Sequence, residues 1–271
     1  MSLMDRIYIP TYKRVDNQIT FDNLPDKYKE KTVLVVQEQE RSQHKHDCEY
    51  LVVGNDIGIA KTRHAIVRHA EKRRFCMYDD DVKFHRRNNK YFGNESDMDT
   101  SKRLMTEKDF DNMFELFNTW MDDEQIIQIG NRDAFLPPSG HLYRDITEVI
   151  STHMIDGYKL SKFIDEIDWD YAQVGEDSMM TLEFMLHGYK NRRSDLFVKG
   201  TSYWSEGGCS EFRDIEFHNN EHMKLVTKYP DWVYIKREVE RKNIGVIKDF
   251  KFRYKEAYEY ATSYNLEQFF S

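Results

Sequence analysis

The sequence is short of several things, and each shortage closes a door. Its 271 residues include three cysteines, Cys48, Cys76 and Cys209, odd in number and far apart. No Cys-x-x-Cys pair occurs, so neither a zinc knuckle nor a disulfide framework is indicated, and a reducing, cytoplasmic setting fits best. No apolar run approaches the ~20 residues needed to span a bilayer. The first residues lack a basic segment followed by an apolar stretch, so no secretory signal is visible, and Met4 is the expected native start. There is no internal repeat and no low-complexity tract. Positive charge is also in deficit, with 40 Lys and Arg against 48 Asp and Glu and a net charge of −8. That balance argues against a protein that coats nucleic acid over its whole surface. A local basic face stays open: residues 236–256 carry eight Lys or Arg against four Asp or Glu. An ordinary solvated helix is the expectation there.

What is present is a core. The chain is 39% hydrophobic, with 17 Phe, 17 Tyr and 4 Trp, enough for one large domain or one domain with an appendage. Arg6-Ile7-Tyr8-Ile9-Pro10 reads as a first strand, stopped by proline. Residues 31–36 and 50–54 read as further strands, apolar almost throughout, as strands buried on both faces are. Residues 57–71 place Ile59, Ile66, Val67 and Ala70 near one face of a helix. This alternation of strand and helix predicts a parallel sheet covered by helices. Residues 85–106, polar and rich in Asn and Gly, read as a loop. Thr106 opens a helix with Glu107 and Asp109 in its first turn. Residues 125–129 and 148–155 read as strands.

Two acidic stretches carry chemistry. Phe75-Cys76-Met77-Tyr78 is a buried strand that runs into Asp79-Asp80-Asp81. Three adjacent anions repel one another, so a cation is expected among them. Asp79 and Asp81 can offer oxygens to a hard divalent ion, although a solvated acidic turn would look the same in isolation. About a hundred residues later, Val174-Gly175-Glu176-Asp177 leads into a helix stopped by Gly188. Two carboxylates at a helix N-terminus cap it through the dipole and free amides. His218 and His222, four apart, would share a helical face.

The chain resembles the glycosyltransferases of the GT-A fold. The motifs that carry the resemblance are Ile9-Pro10-Thr11-Tyr12-Lys13-Arg14, Gly58-Ile59-Ala60-Lys61-Thr62-Arg63, Tyr78-Asp79-Asp80-Asp81-Val82 and Gly175-Glu176-Asp177. Within that fold it looks like the phage glycosyltransferases associated with TET/JBP-type hydroxylases, which decorate hydroxymethylated pyrimidines in DNA. The resemblance implies an α/β, Rossmann-like single domain with a mostly parallel central sheet. Residues 4–225 would form the transferase and 226–271 a helical extension packed on it. It also implies a nucleotide-sugar donor and a divalent metal, Mn2+ or Mg2+. Pro10, Thr11, Tyr12, Arg14, Lys61, Arg63, Asp79 and Asp80 would hold the donor, with Asp79, Asp81 and His218 on the metal and His222 as a rival to His218. Asp177, with Glu176 beside it, would take the acceptor proton if the reaction inverts the anomeric centre. If DNA is the acceptor, Arg86, Arg87 and Lys90, then Lys190, Arg192 and Arg193, are the cations expected to hold it. Tyr91, Phe92, Tyr203 and Trp204 would be available to stack on a displaced base. Three rivals share the acidic residues: a nucleotidyltransferase, although no glycine follows the first strand, a metal-dependent nuclease, and a binding module without turnover.

Overall fold

The computed structural model describes residues 3–88, 101–201, 214–241 and 245–267. In chain order the elements are β1 (Met4–Pro10), α1 (Ile19–Asn23), α2 (Asp26–Lys29), β2 (Thr32–Gln37), β3 (Glu49–Val53), α3 (Gly58–Ala70), β4 (Arg74–Tyr78), β5 (Val82–Arg87) and β6 (Lys102–Leu104). There follow α4 (Glu107–Met121), β7 (Ile126–Asp133), β8 (Tyr143–Asp145), β9 (Thr152–Asp156), α5 (Gly157–Leu160), α6 (Glu176–Leu186) and β10 (Lys190–Thr201). The chain closes with α7 (Ile215–Lys228), β11 (Val233–Arg241), β12 (Gly245–Phe252) and α8 (Tyr254–Glu267).

One sheet organises the molecule. Its strand order is β3-β2-β1-β4-β9-β7-β10-β5-β6, with β8 also paired to β10. The strands from β3 to β4 run parallel, as do β7 and β10. The strand β9 enters antiparallel between β4 and β7, and β5, β6 and β8 are antiparallel to their neighbours. The expected α/β sheet with parallel central strands and flanking helices is therefore present.

Period-two alternation explains how apolar strands fill both faces. Ile7, Ile9, Leu34, Val36, Cys76 and Tyr78 point into one core, against Phe110, Phe114 and Phe117 of α4. Their neighbours Tyr8, Val33, Val35, Phe75 and Met77 point into the other, against Ile66 and Val67 of α3 and Phe184 of α6. The remaining face of α6 presents Met179, Leu182 and Met185 to Leu225, Val233, Phe252 and Ala257 of the C-terminal region. Helix α6 is thus buried on all sides, which is why its sequence is apolar with little amphipathic pattern.

Two expectations need correction. His85 belongs to β5 rather than to a loop, because 85–87 pair with 102–104 in a ribbon at the sheet edge. Asn89, Tyr91, Phe92, Gly93, Asn94 and Lys90 lie outside the described residues, as do Tyr203, Trp204 and Cys209. The second correction concerns the C-terminal extension, expected to be helical. Among its described residues the end of α7 is followed by an antiparallel hairpin of β11 and β12, and helix returns with α8. Val233, Ile235, Val239, Ile247, Phe250 and Phe252 are the branched and aromatic types that suit a half-buried pleated surface. A lone hairpin is marginal in water. This one leans on α7, where Asn219 donates to Val246 O at 2.8 Å and accepts from Lys248 N at 3.1 Å.

Candidate active site

The site begins where β1 and β4, parallel neighbours, leave the sheet at their C-terminal ends, the edge where open α/β sheets bind ligands. The turn after β4 is built by Thr20 at the start of α1. Thr20 N donates to Asp80 O at 2.9 Å, and its hydroxyl accepts from Val82 N at 2.8 Å and donates to Asp79 O. Asp79 N is held by Ser151 O at 2.9 Å. With the backbone so fixed, the three carboxylates fan out to two arginines.

Arg14, from the loop after β1, bonds Asp80 and lies 3.3 Å from Asp81. Asp80 is buried, and burial pushes its carboxyl up to about 7 despite the Arg14 guanidinium and a hydrogen bond from Thr11. Asp81 is also raised, by burial and then by the charge of Asp79. Arginine is one cation that gathers the triplet, and it is supplied twice. Arg63 of α3 is the second. Its Nη2 is 2.9 Å from Asp79 Oδ1 and 3.5 Å from Glu176 Oε1, and its Nη1 bonds Asp177 Oδ1.

Glu176 and Asp177 arrive on the first turn of α6. Gly175 caps that helix at φ +80°, in the left-handed region that glycine enters without a steric penalty. A side chain there would also press on His222 and Leu225 of α7, each 3.0 Å from where a Cβ would stand. Asp177 Oδ2 accepts from Ser151 N at 2.9 Å, and Oδ1 is 3.0 Å from His153 Nε2. The same Ser151 thus joins both acidic motifs through its backbone.

The other residues expected to hold the donor lie on β1, the loop after it and α3. Pro10 ends β1 in register with Val35, and Thr11 accepts from Gln18 Nε2 at 2.7 Å. The Tyr12 hydroxyl is 3.4 Å from Asp56 Oδ1 on the neighbouring loop, and Lys61 is exposed on α3. Arg63, expected on a donor diphosphate, is 4% exposed and given over to three carboxylates. His218, expected on the metal with Asp79 and Asp81, sits on α7 with its ring 4.4 Å from that of His222. There it lines a cleft of ≈320 Å3 with Glu148, Ser178 and hairpin residues including Arg237 and Phe250. Among the described residues, no group of three or more His, Cys, Asp or Glu is arranged to hold a metal. The helical face shared by His218 and His222 is present as read, but α7 is positioned by the hairpin and by Leu225 rather than by the aspartates.

The cations expected to hold a polyanion are mostly committed inside the protein. Arg87 is 2% exposed and donates to Leu136 O at 2.8 Å, while Arg86 bonds Asp109 at 2.8 Å. Arg192 makes a bidentate pair with Asp145, Arg193 donates to Glu148 O, and Lys190 to Gln125.

Sequence reasoning missed a buried polar group behind Asp177. His153 on β9, Gln128 on β7 and Asn191 on β10 are all fully buried. Lys199 of β10 is 1% exposed and pairs with Asp133 at 2.6 Å, close enough that its charge acts on His153. Nothing in a short apolar strand such as Thr-His-Met-Ile marks its histidine as part of a site.

A family model described as TET-Associated Glycosyltransferase matches residues 6–178, nearly two thirds of the chain. The chain belongs to that family. It is a glycosyltransferase, and the match runs from β1 through the first turn of α6, so it includes Arg14, Arg63, the aspartate triplet, Glu176 and Asp177. Among curated proteins none matches. Among solved structures, a UTP-bound UGPase from Acinetobacter baumannii aligns over 84% of this chain and 95% of its own, at 8% identity and a TM-score of 0.40.

Proposed function

We propose that this glycosyltransferase moves a sugar from a nucleotide-sugar donor to an acceptor hydroxyl with inversion, the donor lying at Asp79–Asp81 and the acceptor at Asp177. The observation that carries the reading is the convergence of Asp79, Glu176 and Asp177 on one guanidinium. It brings a strand-end acid pair suited to a donor diphosphate beside a carboxylate suited to an acceptor hydroxyl. The acceptor oxygen attacks the anomeric carbon, the bond from that carbon to the diphosphate oxygen breaks, and the nucleoside diphosphate leaves. The hydroxyl proton passes to Asp177. A carboxylate has about four lone-pair positions, and on Asp177 the Ser151, His153 and Arg63 contacts leave one on Oδ2.

Asp79 and Asp81 form an all-oxygen pair that fits a hard divalent ion. Such an ion would neutralise charge on the departing diphosphate. Arg14, already between Asp80 and Asp81, is the protein's own cation at that end. The family's tie to TET enzymes supports a hydroxymethylpyrimidine in DNA as the acceptor.

Two measurements test the proposal. Nucleotide-diphosphate sugars should raise the melting temperature, and excess chelator or Asp81→Asn should abolish the rise. Donor affinity unchanged by either removes the metal from the reading. Sugar transfer is then measured to duplexes containing hydroxymethylcytosine or hydroxymethyluracil, beside free nucleotides, proteins and simple glycans. Transfer to a glycan or protein alone keeps the transferase and discards the DNA acceptor.

A further inference from the structure

We infer that Asn191, Gln128 and His153 form a buried relay that fixes one tautomer of His153 and thereby sets the orientation of Asp177. This rests on the reading of Asp177 as the group that receives the acceptor proton. The relay residues are positioning residues, since none of them reaches the reacting atoms.

The geometry determines each donor in turn. Asn191 is read by backbone: its Oδ1 accepts from Thr147 N at 3.0 Å and its Nδ2 donates to Thr147 O at 2.6 Å. A backbone amide can only donate and a carbonyl only accept, so the Asn191 amide has one allowed orientation. Its Nδ2 therefore also donates to Gln128 Oε1, at 3.1 Å. Thr181 of α6 donates to the same oxygen at 3.1 Å. With two donors on Oε1, the Gln128 amide is oriented too, and its Nε2 faces His153 Nδ1 at 3.0 Å as a donor. Nδ1 must then be the unprotonated nitrogen. The ring proton sits on Nε2, which is 3.0 Å from Asp177 Oδ1, so Nε2–H donates to the carboxylate; Arg63 Nη1, 3.2 Å from the same nitrogen, is itself a donor and spends its hydrogen on Asp177 Oδ1 instead.

Neutral imidazole is the form this chain requires. Burial, then the charges of Arg63 and Lys199, hold His153 well below the usual imidazole range. The groups facing it are Arg63 from α3, Asp177 from α6, Gln128 from β7 and Lys199 from β10. With Oδ1 tied to His153 and Arg63, and Ser151 N on Oδ2, the Asp177 carboxylate cannot rotate about its terminal torsion without breaking three contacts. Its remaining lone pair keeps one direction. Two helices and three strands contribute, so the orientation is a property of the folded core rather than of α6 alone.

The test uses substitutions that preserve volume. Gln128→Glu keeps an acceptor for Thr181 and Asn191 but replaces the donor to Nδ1 with an acceptor, which forces a proton onto Nδ1. Turnover should fall by roughly tenfold or more while the donor dissociation constant stays within twofold. His153→Gln places an amide N–H where Nε2–H stands and should retain much more turnover than His153→Asn, whose amide reaches only toward Nδ1. A kcat for Gln128→Glu within twofold of wild type overturns the relay. So does an equal loss in His153→Gln and His153→Asn with a matching fall in melting temperature, which would reduce the network to folding. Asp177→Asn is measured alongside. Full turnover in that variant removes the base reading itself, whereas an inactive Asp177→Asn with unimpaired Gln128→Glu removes the relay alone.

Discussion

Arg63 and Asp79 are joined by a 2.9 Å hydrogen bond, with the arginine 4% exposed and the aspartate at the mouth of the site. The bond is one arm of a larger arrangement, because the same guanidinium also holds Glu176 and Asp177. One cation from α3 thus sets the distance between the end of β4 and the start of α6. A buried ion pair adds little when intact but costs much when one partner is removed, since the other charge is left in low dielectric.

The first prediction follows. Arg63→Met should destabilise the protein by roughly 3 to 5 kcal/mol, the range for breaking a buried pair, because three acids lose their shared partner. Arg63→Lys should recover only part of that, since an ammonium cannot fork toward acids on two elements. Urea melts of both variants give the comparison. Equal stability of wild type and Arg63→Met would mean that the acids are separated enough in solution to need no partner.

Asp177 and Glu176 should separate kinetically. Asp177→Asn should lower turnover by about 100-fold or more, the usual scale for a positioned base, with donor affinity little changed. Among the described residues Glu176 pairs with Arg63 alone, at 3.5 Å, and it has no place in the relay. Glu176→Gln should therefore act on acceptor KM more than on kcat. Single-turnover rates with saturating donor distinguish the two. An NMR assignment of the anomeric centre in the product checks inversion, on which the role of Asp177 depends.

Stability should fall in acid through Asp109. Thr106 and Asp109 cap α4 reciprocally, and Asp109 also takes Arg103 and Arg86. Burial opposes ionisation, but the hydrogen bonds from Arg103, Arg86 and Thr106 outweigh it and hold the carboxyl well below its usual range. An acid depressed in the folded state binds fewer protons there than when unfolded. Its contribution is complete above the unfolded value near 3.8 and is lost as pH falls further toward the folded value. Asp109→Asn should flatten the stability curve below pH ~4. At neutral pH, Asp109→Ala should cost roughly 2 to 4 kcal/mol through the lost cap and the unpaired arginines. Chemical denaturation between pH 3 and 7 reads both effects.

How legible this was depended on the range of the interaction. β1 and β2 were readable because burial on both faces leaves an Ile- and Val-rich run, and the α4 cap because Thr106 and Asp109 are three residues apart. The acidic motifs were readable as local anomalies. What they touch was not. Arg63 looked like a phosphate ligand because a cation on a helix near the site has no mark of burial in sequence. Its three partners lie 16, 113 and 114 positions away. His153, Gln128 and Asn191 sit singly in three strands, each ordinary in its own window. The hairpin was misjudged because its cations, Lys236, Arg237, Lys248 and Lys251, dominate the composition while the branched and aromatic residues set the conformation.

The entrance to α3 offers a test of how tightly Arg63 is placed. Gly58 opens that helix at φ +77°, and a Cβ there would overlap Oε1 of Gln173, two residues before Gly175. The backbone of Gln173 is fixed by Glu221 of α7, which accepts from Gln173 N at 2.6 Å. Gly58→Ala therefore meets two separate penalties. A left-handed alanine costs about 1 to 2 kcal/mol in any surroundings. The overlap falls on the end of a long side chain, which can turn aside at smaller cost. A double-mutant cycle separates them. Gln173→Ala combined with Gly58→Ala should restore the steric part and leave the backbone part, so the pair stays less stable than Gln173→Ala alone by about 1 to 2 kcal/mol. If the pair equals Gln173→Ala, the strain at Gly58 is relieved by a shift of α3. That shift should then appear in catalysis, because it would carry Arg63 away from Asp79 and Asp177. A pair that is both fully stable and fully active would show that the register between α3 and α6 does not depend on glycine at this position.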